Sequence, residues 1–431
     1  MKKILIIASF SLFIFACNHQ LNSKKAQVSM RLEEQLAQKI MLDLRYYCAE
    51  PSENKITKSN IHKEEVSNSK HANTLFTNSL EGYKTDEKID LACQTPLTKL
   101  PDELSDFISE SALGGVILFA DNLVNTEQII QLTSDLQNAA LNAKHSTPLF
   151  ISVDQEGGRV VRLPRDITTS FTGNMAIGAT YEKHGSYYAK AVGEVLGSEL
   201  HALGFNVDHA PVVDVNINAN NPVINVRSFG EDPKIVAKLG IAMLNGMQTK
   251  GIIGTLKHFP GHGDTNTDSH TGLPVVNHDF NTVNQVDLYP IKQAIEQADV
   301  KMIMTAHIQY PALDDSTIVS KTGEKIIKPA TLSKKILTQL LRGKMSYQGL
   351  IITDALDMAS IAHFFTPLDA VINTFKAGAD IALMPIKIRN SHDIKKFKVF
   401  IRLLADKVKA DPELLAQVET SHRTFECIHF F

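Results

Sequence analysis

The segment Lys257–Gly272, KHFPGHGDTNTDSHTG, places three histidines and two aspartates within sixteen residues. It follows the apolar run GIIGTL, and its glycines and proline exclude a regular helix, so it reads as a loop leaving a buried strand. Loops held by a rigid scaffold are where binding and catalytic groups concentrate. These residue types allow three chemistries. Imidazole beside carboxylate suits proton transfer, several His and Asp could ligate zinc, and Asp, Asn and Gly can simply build turns. The spacings match neither H-E-x-x-H nor H-x-H-x-D-H, which argues against a metal hydrolase; no metal or other cofactor is expected.

Three further stretches pair charge with sharp turns. Asp154 opens DQEGGRVVRLP, in which paired glycines precede Arg162. Arg227 lies in NNPVINVRSFGEDP, and Asp354 ends the apolar run of GLIITDALDM. Each has a plain reading: turns with solvated arginines for the first two, and a helix N-cap for Asp354.

The elements that must hold these residues show in the hydropathy. Short continuous apolar runs recur at Gly115–Phe119, Leu149–Asp154, Phe205–Val215, Gly251–His258, Val300–His307, Gly349–Asp354 and Ala379–Pro385. Lys39–Arg45 could be another strand or a helix. Helical patterns lie between them, at Thr126–Asn142, Tyr187–Leu203, Pro233–Gln248, Thr282–Gln297 and Leu332–Gly343. Unbroken apolar runs suit parallel strands covered on both faces. The expectation is an α/β protein with a single (β/α)8 TIM-type barrel, a doubly wound sheet being the rival. Titratable residues at the C-terminal strand ends (Asp154, His209, Asp214, Lys257, His258, His307, Asp354) favour the barrel, and no Gly-rich turn follows the first strand. The helical tail Ile388–Phe431 is expected to close it.

The chain has 431 residues, 43% hydrophobic and 21% charged, with net charge −3. That composition suits a large globular core and gives no global attraction for nucleic acid. The first residues, MKKILIIASFSLFIFAC, have the layout of an export signal and are too short to span a bilayer. Their ending resembles the lipobox of bacterial lipoproteins. Residues 1–17 are therefore read as a leader with Cys17 lipidated, residues 18–28 as a tether and 29–431 as the barrel domain. The implied location is the outer membrane of an exporting bacterium, with membrane contact through the lipid. In an oxidising compartment Cys48 and Cys93 are expected to pair across a polar insertion at about 46–96. No role is assigned to Cys427.

Taken together, D-Q-E-G-G-R-V-x-R (Asp154–Arg162), N-P-V-I-x-x-R-S-F-G (Asn221–Gly230), K-H-F-P-G-H-G-D-T-x-x-D-S-H (Lys257–His270) and T-D-A-L-x-M (Thr353–Met358) resemble glycoside hydrolase family 3, in its bacterial β-N-acetylglucosaminidase branch. The resemblance runs from about Leu113 to Pro385 and implies a (β/α)8 catalytic domain. The polar insertion departs from compact members, and the second domain of larger relatives is not expected here. By the resemblance, Asp354 is the nucleophile and His270 the acid/base, oriented by Asp268. Asp154, Arg162, Arg227, Lys257 and His258 hold the sugar. His262 and Asp264 read as loop architecture, while His209, His307 and Met384 match no role. The implied reaction is retaining hydrolysis of terminal β-linked N-acetylglucosamine from a carbohydrate substrate such as peptidoglycan fragments or chitooligosaccharides. Alternatives are a β-glucosidase or β-xylosidase, a phosphorylase, and a non-catalytic sugar-binding lipoprotein.

Overall fold

A computed structural model describes residues 30–48 and 93–429. The leader with Cys17, the tether and residues 49–92 of the insertion lie outside the described residues. Strands β1 (Ile40–Asp43), β2 (Gly115–Ile117), β3 (Phe150–Val153), β4 (Val207–Asp208), β5 (Ile253–Phe259) and β6 (Met302–Thr305) are followed by a separate antiparallel hairpin, β7 (Thr317–Val319) and β8 (Lys325–Ile327). Then come β9 (Leu350–Thr353) and β10 (Ala382–Lys387). Eight of these pair in parallel in the order β10-β1-β2-β3-β4-β5-β6-β9. The remaining seam, β9 to β10, is joined by the bridge Ile352–Ile381 and by N–H bonds from Asp380 to Ile351 (2.7 Å) and Thr353 to Ile381 (3.0 Å). The sheet therefore closes on itself, and the doubly wound alternative falls. Lys39–Arg45 resolves as strand because β1 is flanked by β2 on one side and β10 on the other.

The apolar runs divide by parity, as strand geometry requires. Along β6, Met302 and Met304 join the barrel interior while Ile303 joins the outer core under the helices. Helices Thr126–Leu141, Tyr187–Ala202, Pro233–Gln248 and Tyr289–Gln297 cover that outer face. Two begin on side-chain caps: Asn125 accepts from the Gln128 N–H at 3.0 Å, and Asp232 from the Lys234 N–H at 2.7 Å. Helices Tyr187–Ala202 and Pro233–Gln248 approach so closely that a Cβ on Gly193 would lie 2.2 Å from the Met243 carbonyl oxygen.

The tail closes the bottom of the barrel. Phe425, on helix Pro412–His429, enters the interior cluster with its ring centroid 5.1 Å from that of Phe150. Beside it lies a buried polar network at the N-terminal strand ends. Lys39 donates to the Ser421 hydroxyl, Ser421 donates to Asp380 Oδ1 (2.6 Å), and Asp380 Oδ2 takes the Ile351 N–H (2.7 Å) and Arg342. Burial pushes the Lys39 ammonium down to about 8, against the pull of Asp380.

The insertion leaves and re-enters after β1. Tyr46 and Pro96 form an antiparallel bridge, Leu97 N–H donates to the Arg45 carbonyl (3.0 Å), and Cys48 is disulfide-bonded to Cys93.

Candidate active site

Because all eight barrel strands run in parallel, their C-terminal ends meet at one mouth, and the chain direction alone carries Asp154, Asp208, Lys257, His258, His307 and Asp354 there. At the mouth Lys257 Nζ lies 2.8 Å from Asp154 Oδ1 and 2.7 Å from Glu156 Oε1. Glu156 in turn receives Arg227 through two parallel bonds, Nε to Oε2 (2.8 Å) and Nη2 to Oε1 (2.7 Å). Burial alone would neutralise these groups, but the opposite charges prevail. Glu156 is held down to about 2 by Arg227 and Lys257, and Asp154 sits well below the carboxylate range beside Lys257. Lys257 is raised by Asp154 and Glu156 despite its burial.

Arg162 reaches the same carboxylate by charge: it helps hold Asp154 ionised, while its Nε is buried with no partner. A donor left over at a polar mouth suits a ligand oxygen. Asp208, beneath, is different. It accepts the Gln155 N–H at 2.9 Å, its second oxygen has no partner, and burial raises its carboxyl well above the usual range.

His258 is fixed by Asp214. Its Nδ1 lies 2.7 Å from Asp214 Oδ2, while Asp214 Oδ1 takes the N–H groups of His258 (3.1 Å) and His262 (2.8 Å). Burial opposes the Asp214 charge, but His258 outweighs it and keeps the carboxyl low. Glu156 and Asp214 hold Arg227, Lys257 and His258 in place, and the motif reading left both without roles. Asp214 carried a signal, as a strand-end carboxylate; Glu156 was hidden inside DQEGGR, its partner Arg227 lying 71 residues on.

Asp354 follows β9 directly, and its Oδ1 takes the Ala355 N–H at 2.8 Å. The next helix is Ala359–Ala362 with Met358 before it, so Asp354 caps no helix and the plain reading fails. Burial works against its charge, yet His307, His258 and the Ala355 N–H keep it below the usual range. His307 and His209 are buried and bonded to neighbours: His307 donates from Nε2 to the Ala355 carbonyl (3.0 Å), and His209 Nε2 lies 3.0 Å from Ser152 Oγ.

Asp268 and His270 form a ready-made pair. Asp268 Oδ1 lies 2.8 Å from His270 Nδ1 and also takes the His270 N–H at 2.8 Å. The imidazole is 65% exposed, on the outer part of the loop, and among the described contacts none joins it to Asp354. The loop itself is well anchored. His262, buried and lowered to about 4 by burial and by His258, contacts Thr265 Oγ1 (2.8 Å) and Ser269 Oγ (3.2 Å). Asn221 Nδ2 holds the His262 carbonyl (2.8 Å), and Ser360 N–H reaches the Ser269 carbonyl (3.2 Å), tying the loop to the segment after Asp354.

The chain resembles known proteins over most of its length. The chain is 50% identical to beta-hexosaminidase A of Pseudoalteromonas piscicida over 396 residues, covering 92% of this chain but 60% of that relative's length. A family 3 beta-N-acetylglucosaminidase of Paenibacillus sp. str. FPU-7 superposes with TM-score 0.70 at 30% identity, over 92% of this chain and 64% of the other. The beta-N-acetylhexosaminidase of Beutenbergia cavernae shares the fold, with TM-score 0.71 at 23% identity, over 94% of this chain and 99% of its own. The model of the glycosyl hydrolase family 3 N terminal domain matches residues 58–421, and the chain belongs to that family.

Proposed function

We propose that this chain is a retaining β-N-acetylhexosaminidase that removes terminal β-linked N-acetylglucosamine from the non-reducing end of a glycan. One observation carries the reading: a half-buried, ionised Asp354 that caps no helix stands at the barrel mouth within the field of His307, His258 and Lys257. In the first step the Asp354 carboxylate attacks the anomeric carbon and forms a glycosyl ester, while the departing oxygen takes a proton from His270. Asp268 faces Nδ1, so Nε2 handles that proton, and the carboxylate steadies the imidazolium. In the second step His270 deprotonates a water that attacks the same carbon and frees Asp354. Lys257, His258, Asp154, Arg162 and Arg227 bind sugar hydroxyls, Glu156 holding Arg227 and Lys257 in place. The exposed His270 must move inward with its loop to act.

Support comes also from the name carried by the 50% identical relative, beta-hexosaminidase A. The test is a panel of p-nitrophenyl glycosides, with and without phosphate, and a 2-fluoro sugar to trap the ester. Label on Asp354, release of N-acetylglucosamine without need of phosphate, and loss of turnover in Asp354→Asn are expected. In His270→Ala, substrates with poor leaving groups should slow by about 10²–10⁴-fold and activated aryl substrates far less. Label on another residue, or equal losses on both substrate types, sinks the assignment.

The sequence of residues 1–17 further supports export and a lipid anchor on Cys17, with the outer membrane as site. Cys17→Ser should release the protein from membranes. An unmodified or disulfide-bonded Cys17 in the wild type would overturn the anchor.

A further inference from the structure

A second charged cluster lies behind the loop, and neither the substrate-binding array nor the Asp268–His270 pair includes it. His278 stands between two carboxylates: Nδ1 is 2.8 Å from Asp287 Oδ2, and Nε2 is 2.8 Å from Asp264 Oδ2. Asp264 belongs to the loop itself, four residues before Asp268. Asp287 belongs to the scaffold, as the last residue of a widened helical turn, Val283–Asp287, just before helix Tyr289–Gln297, which packs against helix Pro233–Gln248. Such single widened turns recur at functional sites.

The scaffold end is firmly set. Asp287 is buried, and its Oδ1 lies 3.3 Å from the Tyr310 hydroxyl, which donates to the Gly261 carbonyl at 2.7 Å. Gly261 has a positive φ of 159°, and a Cβ there would stand 3.1 Å from Asp287 Cβ and from the Tyr310 hydroxyl. The root of the loop at Gly261 and its shoulder at Asp264 thus converge on one carboxylate, the first through Tyr310 and the second through His278.

The chemistry of the bridge favours a link over a chance contact. A neutral imidazole carries one N–H and can donate to one carboxylate only. Keeping oxygens at 2.8 Å from both nitrogens takes a second proton within the trio, on the ring or on the buried Asp287, whose carboxyl burial raises. Among the described residues, Asp279, next to His278 in sequence, also feels its charge, and its carboxylate faces the Thr282 N–H.

We propose that His278 is a positioning residue: bridging Asp264 and Asp287, it fixes the shoulder of the loop whose far side carries Asp268 and His270, and so sets how often that pair reaches the scissile oxygen. The proposal rests on the acid/base role given above to His270. Proton transfer needs the imidazole at hydrogen-bond reach of the leaving oxygen, and a displacement of about 1 Å can cost about 10²-fold in rate. Loosening the shoulder should therefore act on the acid step and leave sugar binding by Lys257 and Asp154 alone.

The experiment is a double-mutant cycle in the full chain. His278→Gln should lower kcat for a poor-leaving-group glycoside by about tenfold, with KM little changed and activated aryl glycosides slowed by about twofold or less. In a His270→Ala background the same change should have no further effect. Amide exchange over residues 263–272 should quicken in His278→Gln, a readout independent of turnover. Should His278→Gln fail to fold, Asp264→Asn, on the partly exposed side, carries the same cycle. An undiminished loss in the His270→Ala background, equal losses on both substrate types, or unchanged loop exchange would each overturn the positioning role. If wild type has no glycosidase activity but exchange responds as expected, the functional reading fails while the tie stands.

Discussion

Each end of the barrel buries a lysine, and the two are treated in opposite ways. At the mouth, Lys257 faces two carboxylates at 2.8 and 2.7 Å and is raised. At the floor, Lys39 meets a hydroxyl and a carbonyl, because Asp380 is already engaged by Arg342, Ser421 and the Ile351 N–H; Lys39 falls to about 8. The mouth also keeps an unpartnered donor on Arg162 and an unpartnered oxygen on Asp208, whereas Phe425 and Phe150 fill the floor. A buried charge is retained firmly only when its counter-charge faces it directly. The mouth keeps more polar capacity than folding needs, which is what a polyhydroxylated ligand requires.

This contrast can be broken most severely at Lys257. Lys257→Met leaves Asp154 with Arg162 alone and Glu156 with Arg227 alone, and should destabilise by about 3–5 kcal/mol in urea unfolding. Sugar binding should go with it. A loss below about 1 kcal/mol would mean the mouth charges are no better paired than the floor's.

A somewhat smaller effect should appear with acid. Glu156 ionises at about 2 in the fold against an ordinary 4.5, so its contribution is fully present above 4.5 and disappears as pH falls toward 2. That contribution is on the order of 3 kcal/mol. Glu156→Gln should flatten the fall in stability over this window; an unchanged slope would place the acid sensitivity elsewhere.

The smallest change is expected at the floor. For Lys39 the folded value, about 8, lies below its ordinary 10.5. The fold therefore disfavours its charge, and stability should be lowest below pH 8 and rise from 8 to 10.5. Lys39→Met should be neutral or stabilising by about 1–2 kcal/mol at pH 7, remove that alkaline rise and leave turnover intact. Clear destabilisation would show that the ammonium is a needed strut.

How much of this was legible in the sequence follows from the range of the interactions. Barrel strands buried on both faces leave unbroken apolar runs, so Leu149–Asp154 and Gly349–Asp354 read directly as β3 and β9. Lys39–Arg45 stayed ambiguous because a buried strand of four residues and a helical turn share one apolar pattern. The hairpin of β7 and β8 escaped because its strands are three residues each, too short to leave an apolar run, and only Ile326 is buried. In the site, Asp154, Lys257 and Asp354 stand at strand ends, where order along the chain reveals them. The Glu156–Arg227 and Asp214–His258 pairs form only when separate strand ends converge, and the Asp264–His278–Asp287 trio needs the loop and a later helix in place.

The plug has a consequence in time. β1, near residue 40, pairs with β10, near residue 385, and the interior is completed by Phe425. Until Lys387 has left the ribosome the growing chain holds a sheet with an open seam, and until Phe425 follows it holds an unfilled centre. Domains fold as units, and this unit cannot be finished early.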